Sequence, residues 1–386
     1  CTCTGKTTPV ATAAHRAAWR DVFSRPIGGG PTARGFDEYF GVDIPNWPPF
    51  CFIENDRVVG VPTEFLPAVL LENNQASIGG PALKDWKLEP TLPALGDRAV
   101  RFIADQRRAQ RPFLLYLPLT SPHTPLAVND EWQGRSGLNA YADLVMETDA
   151  LVGRVLKALD DGGIANDTLV VFTSDNGCAP YIGMSDLEKM GHYPSWPLRG
   201  AKADAWEGGH RVPFIVRWPG MVNPGSVCDQ LVQQSDLMAT FAAVLGTALP
   251  DNAGEDSVSL LPLLQGGDRP VRDNAVSTSI GGTPAVRSGG WKYIPAPGSG
   301  GWGKGGDQSQ PVQLYNLSDD LGETRNLAAA MPEQVARMQL LLEKIITDGR
   351  STPGAPQNND VEVRRYPARP GAGSPPTTKE TSRVVP

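Results

Sequence analysis

The segment TLVVFTSDNG, residues 168–177, decides the fold class. Its first part is an apolar run of strand length, and DNG is a turn signal. Before it, residues 141–159 place apolar side chains at helical spacing, and the glycine pair 162–163 ends that helix. A second apolar run, PFLLYLPL at 112–119, also has strand length. Such continuous runs predict strands that are buried on both faces of a parallel sheet.

The same alternation continues on both sides of this segment. Residues 95–110 and 235–246 have helical patterns, and residues 212–220 (VPFIVRWPG) read as a third strand. Helices alternating with strands predict an α/β fold with a mostly parallel, mixed sheet sandwiched by helices.

Beyond residue 246 the pattern changes. Residues 285–294 and 313–317 resemble antiparallel strands, and residues 332–349 predict an amphipathic helix with a proline at its start. These elements predict a smaller C-terminal α+β subdomain of antiparallel strands and one helix.

We therefore predict four parts. Residues 1–22 form an atypical segment with neither helix nor strand periodicity, and residues 23–246 form a partial α/β domain. Residues 247–349 form the C-terminal subdomain, and residues 350–386 form an extended or disordered tail rich in proline and polar residues.

Composition excludes some classes of function. The 386 residues carry a formal charge of −7, so the chain lacks the positive field that nucleic-acid binding requires, and we expect no nucleic-acid partner. No apolar stretch approaches the roughly 20 residues of a membrane span. Five cysteines, an odd number without metal-like spacing, indicate no complete disulfide framework.

Polar clusters follow the predicted strands, where ligands gather in parallel α/β sheets. His123 lies in SPHTP, directly after the strand predicted at 112–119. Asp175 and Asn176 offer adjacent oxygen ligands for a hard divalent cation, and Arg199 and Lys202 are placed to face an anion. Taken singly, each also fits a structural turn or a solvated surface side chain.

In combination these segments resemble the type I sulfatases of the alkaline phosphatase superfamily. The resemblance runs from ARGFDEYFG (33–41) through SPHTP, TLVVFTSDNG and LRGAKADAWEGGHRVPFIV (198–216) to QLYNLSDDLGETRNL (313–327). It covers roughly residues 23–349 and implies an alkaline-phosphatase-like fold.

The resemblance also implies a chemistry. Members of the family hydrolyse sulfate esters with a formylglycine nucleophile and a bound Ca²⁺, sometimes Mg²⁺, which offsets charge on the transferring group. By position, Asp175 and Asn176 resemble metal ligands, whereas His123 and Lys202 resemble the sulfate-contacting and catalytic pair. Residues 207–211 resemble the loop that presents Lys202. The implied partner is a small-molecule or glycan sulfate ester, and the implied location is periplasmic or secreted.

Three parts of the family pattern have no match. No C/S-x-P/A-x-R nucleophile motif lies upstream of residues 33–41, and no strand ends there in paired aspartates. Lys6 is a candidate for the family's lysine, although Thr7 and Thr8 follow it instead of the expected residues. Because the chain begins at Cys1 without methionine, we expect an N-terminal truncation and no activity from this chain alone.

Two other interpretations stay open. One is a phosphodiesterase or phosphonate monoester hydrolase of the same superfamily, and the other is a non-catalytic protein that binds sulfate or glycans. The sequence leaves the particular ester and the oligomeric state open. The loops at 46–52 and 298–306, the latter with Trp302, are candidate pocket walls.

Overall fold

The structure is a computed structural model that describes residues 11–68, 78–307 and 309–363. The chain forms two compact units. The first unit comprises residues 1–168 and 180–193, and the second comprises residues 169–179 and 194–386. The domain boundaries predicted after residues 22, 246 and 349 stay predictions.

Two long helices form the centre of the first unit. The helices of this unit are α1 (Ala13–Phe23), α2 (Thr91–Ala109), α3 (Ala140–Asp161) and α4 (Met184–Lys189). Helix α2 packs on α3, and Leu92, Leu144 and Leu151 are buried in one apolar cluster. Both helices are confirmed where the sequence predicts them.

Short antiparallel strands complete the first unit. They are β1 (Phe40–Gly41), β2 (Phe52–Glu54) and β3 (Arg57–Val59) in one sheet, and β4 (Glu64–Leu66) and β5 (Gly80–Ala82) in another. Their runs are too short for a hydrophobic pattern to reveal, and the sequence analysis missed them.

Helix α1 contradicts the prediction that residues 1–22 contain no helix. The Thr12 hydroxyl accepts a hydrogen bond from the His15 backbone N–H (3.2 Å), and the Thr12 backbone N–H donates to His15 Nδ1 (3.4 Å). This reciprocal capping satisfies two N–H groups that a helix start otherwise leaves unpaired. None of the helix residues is buried, so no apolar stripe marks it in the sequence.

The strand predicted at residues 112–119 is wrong for the described part of the chain, because this segment joins no ladder there. Its side chains nevertheless alternate in exposure, and Leu114 and Tyr116 are 62% and 71% exposed. An apolar run predicts strand-like alternation, but a strand also needs a neighbour that pairs with its backbone groups.

The second unit contains four helices and two sheets. Its helices are α5 (Glu207–His210), α6 (Asp236–Val244), α7 (Leu261–Leu264) and α8 (Pro332–Asp348). Its strands are β6 (Val170–Thr173), β7 (Phe214–Arg217), β8 (Ala275–Thr278), β9 (Pro284–Ser288), β10 (Trp291–Ile294) and β11 (Gln313–Asn316).

Strands β6 and β7 confirm two predicted strands but not their expected direction. They pair antiparallel, with Val171 opposite Val216, and every ladder between strands of the described residues is antiparallel. Apolar runs locate strands, but they carry no information about which strands become neighbours or how they are directed.

The antiparallel strands and the helix predicted for the C-terminal subdomain are confirmed. Four antiparallel strands lie in the order β11-β10-β9-β8, and α8 packs against the sheet. Val286, Tyr293 and Leu314 from the strands meet Met338 and Leu342 from the helix in one buried cluster.

The segment after α8 is fastened to an earlier loop. Arg350, whose side chain is 7% exposed, donates to Asp251 Oδ1 at 3.1 Å, and the Ser351 N–H donates to Asp256 Oδ1 at 2.8 Å. Residues 350–363 contain no helix or strand, residues 364–386 lie outside the described residues, and the tail predicted from residue 350 stays a prediction. In the described part of the chain, no helix has the length and apolar character needed to cross a bilayer.

Candidate functional site

Asp175 and Asn176 lie in the turn that follows β6. The Asn176 side-chain N–H₂ donates to the Gly177 carbonyl (3.2 Å), and the Ser174 hydroxyl donates to the Asn176 carbonyl (3.1 Å). The amide nitrogen of Asn176 is thereby used locally, which leaves its side-chain oxygen as the atom able to act as a ligand. The turn is therefore held by local hydrogen bonds, and the Asp175 and Asn176 side chains both present oxygen atoms.

Backbone hydrogen bonds join this turn to the segment that carries Lys202. The Lys202 N–H donates to the Cys178 carbonyl at 2.8 Å, and the Gly177 N–H donates to the Gly209 carbonyl at 3.0 Å. Three of the residues predicted for the site, Asp175, Asn176 and Lys202, are therefore brought together by main-chain contacts.

Glycines make this close approach possible. A Cβ atom at Gly177 would lie 1.8 Å from the Gly208 carbonyl oxygen, and one at Gly208 would lie 2.3 Å from the Gly200 carbonyl oxygen. A Cβ atom at Gly209 would lie 2.1 Å from the Asp204 carbonyl oxygen. These distances are far below a van der Waals contact, so backbone packs directly on backbone around Lys202.

A buried ionic cluster lies next to α5 and includes its first residue. Lys292 Nζ lies 2.9 Å from Glu207 Oε1 and 3.0 Å from Glu323 Oε1, and all three side chains are nearly inaccessible to solvent. The Glu207 backbone N–H also donates to Glu323 Oε2 at 2.6 Å. The cluster thereby ties the start of α5 to β10 and to the loop after β11.

The charges in this cluster shift its titration. Burial opposes ionisation of Glu207, but Lys292, His210 and Arg287 together outweigh it and hold the pKa of this carboxyl at about 2. Burial and the nearby Lys292 charge lower the pKa of His210 to about 4. His210 Nε2 lies 3.2 Å from Lys292 Nζ, where a neutral imidazole nitrogen can accept a hydrogen bond.

No motif or spacing in the sequence indicated this cluster. Lys292 lies within a strand and Glu323 in a polar loop, both far along the chain from Glu207. The signal available in the sequence is a lysine between tryptophan and tyrosine in a strand (WKYI, 291–294), where Lys292 is flanked by large apolar side chains.

Arg199, which the sequence places to face an anion, makes its described contacts with protein groups of the second unit. Its guanidinium carbon lies 3.8 Å from the ring centroid of Trp206, and its N–H groups donate to Tyr315 Oη (3.2 Å) and the Glu323 carbonyl (2.9 Å). Residues 195–199 have the spacing S-x-P-x-R of the nucleophile motif. Here the arginine of that spacing, Arg199, packs on Trp206, which gives this occurrence of the motif a structural explanation.

His123 belongs to the first unit. Its Nδ1 lies 2.5 Å from the Thr124 carbonyl oxygen, and because a carbonyl only accepts, Nδ1 carries the proton of this hydrogen bond. In the neutral ring, Nε2 is therefore the basic nitrogen. Thr148 Oγ1 and Ser121 Oγ lie 2.7 Å apart and fasten the same loop to α3.

A metal ion was expected at Asp175 and Asn176. Among the described residues, no group of three or more histidine, cysteine, aspartate or glutamate side chains is placed to hold an ion. Asp175 and Asn176 are oxygen donors of the right kind, but Ca²⁺ takes six to eight oxygens. These two residues alone do not make a calcium site. Lys6, the remaining candidate, lies outside the described residues.

The chain is similar to known proteins. The family model described as Sulfatase matches residues 31–247. An N-acetylgalactosamine-6-O-sulfatase of Bacteroides thetaiotaomicron is 36% identical over 270 residues, covering 68% of this chain and 52% of the relative. Human arylsulfatase A is 34% identical over 313 residues, covering 74% of this chain and 60% of the relative. The chain thus spans little more than half the length of these curated relatives.

Solved structures are also similar to this chain. A structure described under the metabolism of multiple glycosaminoglycans by Bacteroides thetaiotaomicron has a TM-score of 0.74 and 29% identity, covering 84% of this chain and 75% of that chain. A putative sulfatase of Bacteroides fragilis, 18% identical with a TM-score of 0.54, covers 81% of this chain and 66% of that one and shows the fold alone. The alkaline-phosphatase-like fold is confirmed, and a divalent metal ion is typical of such proteins. Because the family model covers more than half of the residues, the chain belongs to the sulfatase family.

Proposed function

We propose that this chain is part of an enzyme that hydrolyses sulfate esters, and that Lys202 binds the sulfate group. The observation that carries the proposal is the pair of backbone hydrogen bonds that hold the Lys202 segment against the turn of Asp175 and Asn176. The lysine of this segment supplies an ammonium group, which offsets the negative charge of a sulfate and of the transition state for its transfer.

Asp175 and Asn176 are proposed as two of the oxygen ligands for a divalent cation, with Ca²⁺ preferred and Mg²⁺ as the alternative. Oxygen donors suit both ions. Bound to the sulfate, such an ion would supply further positive charge. Further ligands are needed to complete its shell.

For the first unit taken by itself, His123 is proposed as a residue that contacts a sulfate ester. Because its Nδ1–H is held by the Thr124 carbonyl, Nε2 is the ring nitrogen left to form a hydrogen bond with a ligand.

No C/S-x-P/A-x-R nucleophile motif precedes residue 33. The test therefore measures the binding of a sulfate ester and not its hydrolysis. Calorimetric titration of the chain with phenyl sulfate is expected to show binding that Lys202→Met weakens about tenfold, which corresponds to about 1.4 kcal/mol. Lys344→Met, which removes the same charge from the exposed face of α8, serves as the control.

Two outcomes would count against the proposal. One is equal affinity of Lys202→Met and the unmodified chain for phenyl sulfate. The other is tighter binding of diphenyl phosphate than of phenyl sulfate, which would favour the phosphodiesterase interpretation.

A further inference from the structure

Asn176 and Gly177, in the turn after β6, form the only asparagine–glycine pair in the sequence. Glycine has no Cβ atom, so its backbone nitrogen meets little hindrance when it approaches the side chain of the residue before it. In water this nitrogen can displace the side-chain amide of the asparagine, a reaction that deamidates the residue. The turn therefore contains a pair of residues that is chemically labile wherever its backbone is free to move.

The fold requires the glycine of this pair. A Cβ atom at Gly177 would lie 1.8 Å from the carbonyl oxygen of Gly208. Both partners of that contact are main-chain atoms, so no side-chain rotation relieves it. A larger residue at position 177 would slow the reaction, but it would also push the turn away from α5.

Hydrogen bonds of the closed turn engage both reacting groups. The Gly177 N–H donates to the Gly209 carbonyl at 3.0 Å, and the Asn176 side-chain N–H₂ donates to the Gly177 carbonyl at 3.2 Å. The Ser174 hydroxyl donates to the Asn176 carbonyl at 3.1 Å and holds the main chain of the turn. A backbone N–H in such a bond gives up its hydrogen only when the structure around it opens.

We propose that Asn176 is a site of spontaneous deamidation, and that the contact between the turn and α5 keeps this site closed. When the contact opens, the backbone nitrogen of Gly177 bonds to Cγ of Asn176 and the bond from Cγ to Nδ2 breaks. Ammonia leaves with the hydrogen of the backbone nitrogen, and a cyclic imide remains. Water then opens the imide at one of its two ring C–N bonds, which gives aspartate or isoaspartate.

The isoaspartate product does not fit the closed turn. Its main chain is longer by one methylene group, whereas the backbone of Gly177 already packs directly on that of Gly208. The modified turn is therefore expected to stay away from α5 and to lose the bond from the Gly177 N–H to the Gly209 carbonyl. The neighbouring bond from the Lys202 N–H to the Cys178 carbonyl is expected to be lost with it.

Mass spectrometry of proteolytic peptides measures the reaction, because deamidation changes the mass of the peptide that contains Asn176. The full chain is incubated in the same mildly alkaline buffer with and without guanidinium chloride. Deamidation of the folded chain is expected to be slower by about tenfold or more, which corresponds to an opening free energy of at least about 1.4 kcal/mol. Asn176→Gln is expected to remove the mass change from this peptide.

Hydrogen exchange of the Gly177 N–H measures the same opening independently. Because both reactions proceed from the open state, the factor by which folding slows exchange is expected to equal the factor by which it slows deamidation. This comparison needs no substitution.

A matched pair of variants tests the role of the contact. A Cβ atom at Gly209 would lie 2.1 Å from the Asp204 carbonyl oxygen, so Gly209→Ala is expected to open the contact and to bring deamidation close to its rate in denaturant. Gly153→Ala, where a Cβ atom has no neighbour within 4 Å, is expected to leave the rate unchanged. Circular dichroism shows whether Gly209→Ala is folded. If it is unfolded, the hydrogen-exchange comparison in the unmodified chain decides.

Calorimetry with phenyl sulfate tests the consequence for the candidate site, and this readout rests on the proposed function. The number of binding sites per chain is expected to fall in proportion to the fraction of isoaspartate, because Lys202 is displaced in the modified chains. If phenyl sulfate does not bind the fresh chain, the proposed function fails, whereas the deamidation rates still test the inference.

Three results would overturn the inference. The first is equal deamidation of Asn176 in the folded and the denatured chain. The second is a folded chain in which deamidation is slow although the Gly177 N–H exchanges freely. The third is a folded Gly209→Ala variant that deamidates no faster than the unmodified chain. An unchanged number of phenyl sulfate sites in a chain rich in isoaspartate would contradict the displacement of Lys202.

Discussion

Lys292 brings a full positive charge into the interior of the second unit, where its side chain is 1% exposed. The ammonium is shared by two carboxylates, Glu207 and Glu323, and these side chains come from separate parts of the chain. Because the charges are buried together, the loss of one leaves the others without compensation. Lysine is usually a surface residue, but Lys292 is buried and holds the ion pairs next to α5 together.

Replacing Lys292 with methionine is expected to destabilise the protein strongly. Removing one partner of a buried ion pair typically lowers the free energy of unfolding by about 3–5 kcal/mol. Urea unfolding measures this change. Lys344→Met is the matched control, and because its pair with Asp348 is at the surface, a loss of at most about 0.5 kcal/mol is expected. Equal stability of the two variants would contradict the role assigned to Lys292.

His210 is expected to make stability depend on pH. Its pKa is about 4 in the folded chain, below the ordinary value of 6.5. Between these values the unfolded state binds the proton and the folded state does not, so protonation favours unfolding. Stability contributed by the neutral ring is present above pH 6.5 and is lost as the pH falls towards 4. Glu207, with a pKa of about 2, adds a loss below about pH 4.5.

The measurement is the urea midpoint at several pH values. In His210→Gln, the slope between pH 6.5 and 4.5 is expected to flatten, while the steeper loss at lower pH remains. His192, an exposed histidine of the first unit, provides the control variant His192→Gln. An unchanged slope in His210→Gln would show that another group is responsible.

At the scale of elements, the contact between the turn after β6 and helix α5 is made of backbone atoms. Gly177→Ala is expected to force the two apart, because the new Cβ atom would meet the Gly208 carbonyl oxygen at 1.8 Å. Overpacking of this kind lowers the free energy of unfolding by about 1–3 kcal/mol. It is also expected to weaken phenyl sulfate binding, since Lys202 is held by the same contact.

Gly153→Ala tests whether the effect depends on position. Gly153 is exposed within α3, and a Cβ atom there would have no neighbour within 4 Å. Alanine is a better helix former than glycine by about 1 kcal/mol, so this variant is expected to be more stable. Thermal unfolding of both variants checks the contrast. A loss of stability in Gly153→Ala, or none in Gly177→Ala, would contradict the packing described.

Elements with a long periodic pattern could be predicted from the sequence, and elements made by local capping or pairing could not. Helices α2, α3 and α8 have apolar faces that match their burial. Helix α1 has no buried residue and depends on Thr12 and His15 at its start. The direction in which β6 and β7 pair is decided by chain connections that no local pattern records.

The candidate site shows the same division. Asp175 and Asn176 could be predicted because they directly follow a strand, and Lys202 could be predicted through the family resemblance of its segment. Their glycine contacts and the cluster of Lys292 and Glu323 could not be predicted in detail. Those depend on close approach between distant parts of the chain, which the amino-acid spacing does not encode.

At the scale of the whole molecule, the link between Arg350 and Asp251 closes a long loop. The two residues are 99 positions apart, and the loop contains the four-stranded sheet and α8. Bringing the ends of about 100 flexible residues together carries an entropy cost of about 4 kcal/mol. A few hydrogen bonds do not offset this in an unfolded chain, so the link forms after the sheet has already brought its ends close.

The contacts between Arg350 and Asp251 are therefore expected to form late in folding and to break early in unfolding. Arg350→Met is expected to raise the unfolding rate and to leave the refolding rate nearly unchanged, since the lost contacts are absent from the transition state. Stopped-flow measurements in urea separate the two rates. A slower refolding rate would instead place Arg350 in the folding nucleus. The contacts of residues 350 and 351 are thus expected to set the unfolding rate of the second unit and to leave its folding rate unaffected.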